Sequence, residues 1–199
     1  MVRHCQEIDL QDAGPLKFTR CTIPEVVEIT PKRHADSRGH FVEVFRDDLF
    51  RQHVADVALL QHNQSLSRQA GTIRGLHYQL PPAAQGKLVR CVRGAILDVA
   101  VDIRRSSPTF GQHVAVTLSE EEDSQLWVPA GFAHGFCTLR PDTEVWYGVT
   151  HVYSPAHERG ILWNDADLGI AWPVAAEAAI LAPRDATWPR LGDASDVFQ

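Results

Sequence analysis

No run of about 18 consecutive apolar residues occurs in this 199-residue chain, so a membrane-spanning helix is not expected. The N-terminal MVRHCQEIDLQDAG lacks the apolar stretch that a secretory leader needs. Cysteine is scarce. Cys5, Cys21, Cys91 and Cys137 stand far apart and form no CxxC pair, which argues against a zinc knuckle and against a disulfide framework. Reduced thiols in a soluble, cytoplasmic protein are the expectation. Blocks of like charge are missing too: the formal net charge is −6 with both signs scattered, which speaks against a nucleic-acid binder. Neither nucleic acid nor a membrane is expected as a partner. Among ten histidines no two stand as HxH, the usual opening of a multi-histidine metal site in a barrel, so no metal is expected.

What is present points to one globular domain over residues 1–199, since 44% hydrophobic content excludes a disordered chain. Residues 1–22 are unpatterned and broken by Gly14-Pro15, and read as an N-terminal arm packed on the body or on a partner subunit. Val26 to Thr30 is a short strand. After the turn Asp36-Ser37-Arg38-Gly39, alternation sets Phe41, Glu43 and Phe45 on one face. Residues 46–54 have helical spacing. Residues 59–67, LLQHNQSLS, end a strand in hydrogen-bonding side chains, so Gln61 and Asn63 either line a pocket or cap a turn. The stretch 71–94, GTIRGLHYQLPPAAQGKLVRCVRG, gathers Arg74, His77, Tyr78, Lys87, Arg90 and Arg93 around a Pro/Gly turn and reads as a hairpin.

Further strands are expected at 94–103, 113–118, 125–128 and 143–153, at the regular spacing of a sandwich or barrel. Within 94–103, Leu97, Val99, Val101 and Ile103 share one face, leaving Asp98 and Asp102 on the other, beside water or cations. Residues 174–199, rich in Pro, Trp and Asp, read as a C-terminal wrapping segment. Ideal pleating points Arg74 and His77 to opposite faces, but a bulge at Gly75 would let both enter one cavity. Tyr147 shares its face with Val145 and Val149, where a tyrosine most often serves the core with its hydroxyl tied to some partner.

The words DSRGHFVEVF, RGLHYQ, AQGKLVRCVRGAILDVAVDIRRSSPTFG, LWVPAGFAHGF and ILWNDADLGIAWP recur in order through residues 36–173. In these the chain resembles the dTDP-4-dehydrorhamnose 3,5-epimerases and their nucleotide-sugar epimerase relatives. The resemblance implies an all-β, cupin-type double-stranded β-helix, or jelly-roll barrel, with short peripheral helices. It implies inversion of C3 and C5 of a dTDP-4-keto-6-deoxyhexose in deoxysugar biosynthesis of the dTDP-rhamnose type, without a cofactor, by a homodimer. Both carbons lie alpha to the C4 ketone. Inverting either one needs a base on one face, an acid on the other and a group that holds the enolate oxygen.

On the matching words, the resemblance implies His77 as base, a role suited to imidazole because it ordinarily titrates near neutral pH. It implies Asp185 as the carboxylate orienting that base, with Asp165 and Asp167 as rivals, Lys87 as the oxyanion-holding cation, and Tyr147 as the acid. Arg38 and Arg74 would meet the pyrophosphate, Phe41 and Glu43 the thymidine, and His134 the substrate inside the cavity; Gln61 and Asn63 complete the substrate contacts. Other readings are a relative inverting only C3 or only C5, a non-catalytic sugar-nucleotide-binding cupin, and a metal-dependent cupin, which the missing HxH disfavours.

Overall fold

A computed structural model describes residues 10–199, with side chains from Gly14 onward. The strands in order are β1 (Leu10–Ala13), β2 (Leu16–Arg20), β3 (Val27–Pro31), β4 (Arg33–Asp36) and β5 (Gly39–Val42). Then come the helix α1 (Asp47–His53), β6 (Gln61–Ser67), β7 (Ile73–Gln79), β8 (Lys87–Arg93) and β9 (Ala95–Asp102). Finally β10 (His113–Ser119), β11 (Gln125–Val128), β12 (Phe132–Thr138), β13 (Thr143–Val149) and β14 (Glu158–Gly160) lead into a tail with three short 3-10 turns.

Two antiparallel sheets face each other in the cupin-type jelly roll. One runs β1-β2-β3-β11-β8-β13-β6, the other β10-β9-β12-β7-β14, and β4 and β5 pair as a separate ribbon. Between the sheets lie Val89, Cys91, Ile96, Ala100, Leu126, Phe132, Phe136 and Val145. Each outer face is covered as well. Phe50 of α1 is buried on Phe18, Leu88 and Trp127 of the seven-stranded sheet, a burial worth about 1.5–3 kcal/mol. Across the five-stranded sheet, Leu168, Leu191, Ala194 and Val197 of the tail pack on Leu97, Val99 and Val101. Among the described residues no helix is long and apolar enough to cross a membrane.

This double covering explains where the structure departs from expectation. Residues 71–94 are not a hairpin: β7 pairs with β12 and β14 while β8 pairs with β11 and β13, so the turn between them carries the chain from one sheet to the other. Turn chemistry marks a reversal but not which sheet receives the next strand. Every residue of β9 is buried, so of the two surroundings expected for Asp98 and Asp102 water is excluded, while at Asp102 the cation is present as Arg104. Asp102 is answered by Arg104, Ser107 and Thr109, and Asp98 by His134. Of the expected N-terminal arm, residues 10–20 form the β1–β2 edge of the large sheet with Gly14 at the turn, and residues 1–9 lie outside the described residues. Cys91 and Cys137 are free and buried, but Cys21 is disulfide-bonded. Separation along the chain carries no information about distance in the fold, and the expectation of reduced thiols fails at Cys21.

Candidate active site

A cavity of about 470 Å³ opens between the two sheets. From the five-stranded sheet it receives Arg74 and His77 of β7 with His134 of β12; from the facing sheet it receives Ser65 of β6, Lys87 of β8 and Tyr147 of β13. Arg74 and His77 reach the same space because β7 carries one extra residue there: the register runs His134 to His77 but Phe136 to Arg74. This is the bulge that the parity of β7 requires. Gly75 sits in it at φ +133°, and a Cβ at this position would meet the Cα of Gly135 at 2.5 Å, so only glycine lets β7 and β12 approach so closely.

His77 Nε2 lies 2.7 Å from Asp185 Oδ1. With the Nε2 proton donated to the carboxylate, the ring keeps its lone pair on Nδ1. The Asp185 side chain is 2% exposed and that of His77 19%. Burial pushes the Asp185 carboxyl upward, but His77 together with Gly75 N–H and Trp188 N–H outweighs it and holds it below the usual carboxylate range. Gly75 N–H and Trp188 Nε1–H approach the same carboxylate more distantly, at 3.4 Å each. Asp185 is therefore the carboxylate on His77. The rival Asp165 is occupied elsewhere, accepting from the backbone N–H of Leu191 and Asp167.

Lys87 is buried, and its Nζ donates to the His77 carbonyl oxygen at 3.1 Å. Burial pulls its ammonium down to about 8, against the charges of Glu158 and Asp98, which favour the protonated form. A second histidine–aspartate pair lies beside the first: His134 Nε2 is 2.8 Å from Asp98 Oδ1, and burial lowers the His134 pKa in spite of that carboxylate. His134 is thus neutral near pH 7. The hydroxyl of Tyr147 has no hydrogen-bond partner among the described residues, contrary to the expectation of a tied core tyrosine, and burial raises its pKa. It stays protonated. Among the described residues no three His, Cys, Asp or Glu side chains converge so as to hold a metal ion.

The remaining candidates lie outside this cavity. Arg38, at the tip of the β4–β5 ribbon, has its side chain 88% exposed and, among the described residues, paired only with Asp36, while Phe41 is 69% exposed and Glu43 lies 3.7 Å from Arg46. Gln61 and Asn63 share the inward face of β6 with Ser65 but sit beyond the lining and bond to each other at 2.8 Å. Sequence reasoning missed Asp98, Tyr153 and Glu158. Asp98 carried a usable signal, an acidic residue flanked on both sides by apolar residues in mid-strand; Glu158, in a three-residue strand, carried none.

The dTDP-4-dehydrorhamnose 3,5-epimerase family profile matches residues 20–193. The chain is 53% identical over 182 residues to a dTDP-4-dehydrorhamnose 3,5-epimerase of Sinorhizobium fredii, covering 92% of this chain and 93% of that one. It is 50% identical to a Shigella flexneri protein of the same name, covering 90% and 98%. Among solved structures, it is similar to the dTDP-6-deoxy-D-glucose-3,5-epimerase of Legionella pneumophila in complex with dTDP-4-keto-L-rhamnose. That match has a TM-score of 0.87 and 40% identity, covering 92% of this chain and 99% of that one.

Proposed function

The chain belongs to the dTDP-4-dehydrorhamnose 3,5-epimerase family, and from that premise we propose that it inverts C3 and C5 of a dTDP-4-keto-6-deoxyhexose with His77 as base and Tyr147 as acid. It is an isomerase of deoxysugar biosynthesis. The observation that carries the division of labour is that His77 enters the cavity from the five-stranded sheet and Tyr147 from the seven-stranded one. A sugar ring lying between the sheets presents opposite faces to the two groups. His77, its Nε2 held by Asp185, takes the C–H proton alpha to the ketone; Tyr147, kept protonated by burial, returns one from the other side. Lys87 spends one of its three N–H bonds on the His77 carbonyl and has two left for the enolate oxygen. His134, its Nε2–H committed to Asp98, offers Nδ1 as an acceptor to a sugar hydroxyl.

Arg38 and Phe41 are exposed on a ribbon that does not reach their own chain's cavity, and Glu43, half-buried just after it, does not line that cavity either, which supports a homodimer in which this segment meets the pyrophosphate and thymine at the neighbour's site. Arg74, bonded to Ser67, would serve the pyrophosphate from within the chain; Gln61 and Asn63, toward the other end of β6 where Gln61 holds Tyr153, would complete the substrate contacts. A fully active monomer in light scattering at micromolar concentration would refute this arrangement. A cytoplasmic location follows from a nucleotide-sugar substrate; the Cys21 disulfide is the one feature pulling the other way. The central test is incubation with dTDP-4-keto-6-deoxyglucose in deuterated water. Deuterium at both C3 and C5 of inverted product is expected, and deuterium at one carbon only would restrict the enzyme to a single centre.

A further inference from the structure

The residue that orients the base comes from a part of the chain with little backbone support. Before it, Ile180 is tied to the start of β7 through Ile180 N–H to Gly71 O and Ile73 N–H to Ile180 O; after it, Pro189 O accepts from Leu162 N–H. Between these anchors, residues 181–188 arch over the cavity mouth, and their backbone hydrogen bonds, Asp185 N–H to Ala182 O and Thr187 N–H to Arg184 O, stay within the arch. Only side chains fasten it to the body. The Trp188 ring packs on Gly160, where a Cβ would come within 2.5 Å of the indole, and Asp185 reaches His77. Leu181 packs on Ile73, Cys137 and Trp163 at the start of the arch, and Arg184 Nη1 donates to Glu158 Oε2 at 2.7 Å near its middle.

Glu158 is well placed to act as a post. It stands on β14, whose pairing with β7 sets Glu158 opposite Gln79 and Gly160 opposite His77, so the ladder that carries the base also fixes this carboxylate. Its side chain is only 14% exposed, and the same Oε2 that receives Arg184 receives the Tyr153 hydroxyl at 2.7 Å. Tyr153 is itself secured through its N–H on Gln61 Oε1. One carboxylate oxygen thus joins three segments of the rim: the loop after β13, β14 and the arch. Arg184 is the immediate neighbour of Asp185, its Nε 3.7 Å from the Asp185 carboxylate. We propose that Glu158, through Arg184 and Tyr153, is a positioning residue that clasps the arch and thereby keeps Asp185 on His77. This rests on the reading of His77 as the base oriented by Asp185.

The test is a double-mutant cycle read in kcat, with Glu158→Gln made in the wild-type and Asp185→Asn backgrounds. In the wild type Glu158→Gln should lower kcat about tenfold, the scale of one charge-assisted hydrogen bond, whereas in Asp185→Asn the further loss should be less than about twofold. Arg184→Gln should reproduce the Glu158→Gln loss and Arg184→Lys should recover most of it, since an ammonium can still donate to Glu158. An equal tenfold loss in both backgrounds would overturn the clasp and assign the effect of Glu158 to its charge beside Lys87. A second readout is independent of turnover: in 15N-histidine NMR, with His77 assigned from the His77→Asn protein, Glu158→Gln should increase the Nδ1–H tautomer of His77. An unchanged tautomer ratio would overturn the clasp. Full activity of Asp185→Asn alone would instead remove the oriented-base reading, while the NMR comparison would still decide whether Glu158 holds the arch.

Discussion

His77 and His134 are directly paired across β7 and β12, and each places its Nε2 on an aspartate, at 2.7 and 2.8 Å. The two pairs differ in what supplies the carboxylate. Asp98 belongs to β9, the next strand in the same sheet, and lies opposite Phe136 in a regular ladder with its own side chain fully buried. Asp185 arrives from an arch 108 residues away along the chain and leaves His77 partly open to the cavity. The buried pair is built like a structural contact with one ring nitrogen to spare. The open pair has access, and a carboxylate that can be removed without disturbing a sheet. Similar chemistry in the two pairs therefore does not make two bases; access and support separate them.

The sharpest way to break this comparison is to exchange which histidine is lost. His77→Asn should abolish both epimerisation and exchange of substrate hydrogens with deuterated solvent, a loss of roughly 1,000- to 10,000-fold for removal of a positioned base. His134→Asn should retain exchange, and NMR of C3 and C5 deuteration reads both. Retained exchange in the His77 variant would disqualify it.

Next in size is Tyr147→Phe, expected to cost roughly 100- to 1,000-fold in inversion while leaving substantial exchange with retention, because His77 can return a solvent deuteron to the face it came from. Equal loss of exchange and inversion would undo the two-sheet assignment. Asp185→Asn should lower kcat by about 10- to 100-fold through the His77 tautomer. His134→Asn should instead raise KM by about tenfold, as one lost hydrogen bond, with little change in kcat. Steady-state kinetics would separate the pairs, and a kcat defect confined to His134→Asn would reverse the comparison.

The smallest effect is the pH profile. Lys87 holds the enolate oxygen only when charged, and burial brings its pKa down to about 8 from 10.5, so kcat/KM should decline as pH rises through about 8. Lys87→Arg, whatever its absolute rate, should lose that alkaline limb, because a guanidinium stays charged. Persistence of the limb in Lys87→Arg would assign it to another group.

The strands near 26–30, 94–103, 113–118 and 125–128 and the helix at 47–53 are legible in alternation and spacing because each depends on neighbours in sequence, whereas β1, β2, β12 and β14 were not expected as strands. The bulge at Gly75 was legible for the same reason: two residues needed on one face stood at an odd spacing with a glycine between them. Sheet assignment was not. Nothing in residues 71–94 says that β7 and β8 go to different sheets, since pairing partners are chosen by burial on both faces of each strand. The inward turn of Asp98 escaped for a related reason. Alternation told that it opposed Leu97 and Val99, but only the tail packing on their side makes the aspartate face the interior. Glu158 escaped because a three-residue strand leaves no period to read.

Placing the base on one sheet and the acid on the other turns the gap between them into a packing dimension. That gap is filled by Val89, Ala100, Phe132, Phe136 and Val145, with Val145 two residues from Tyr147 on the same strand and Phe136 two from His134. Close-packed interiors transmit changes of a single methylene, and sub-ångström spacing matters to proton transfer. The core of this protein is therefore a gauge block: its side-chain volumes set the width into which a pyranose ring must fit, and drift in those volumes is tuned by turnover as much as by stability.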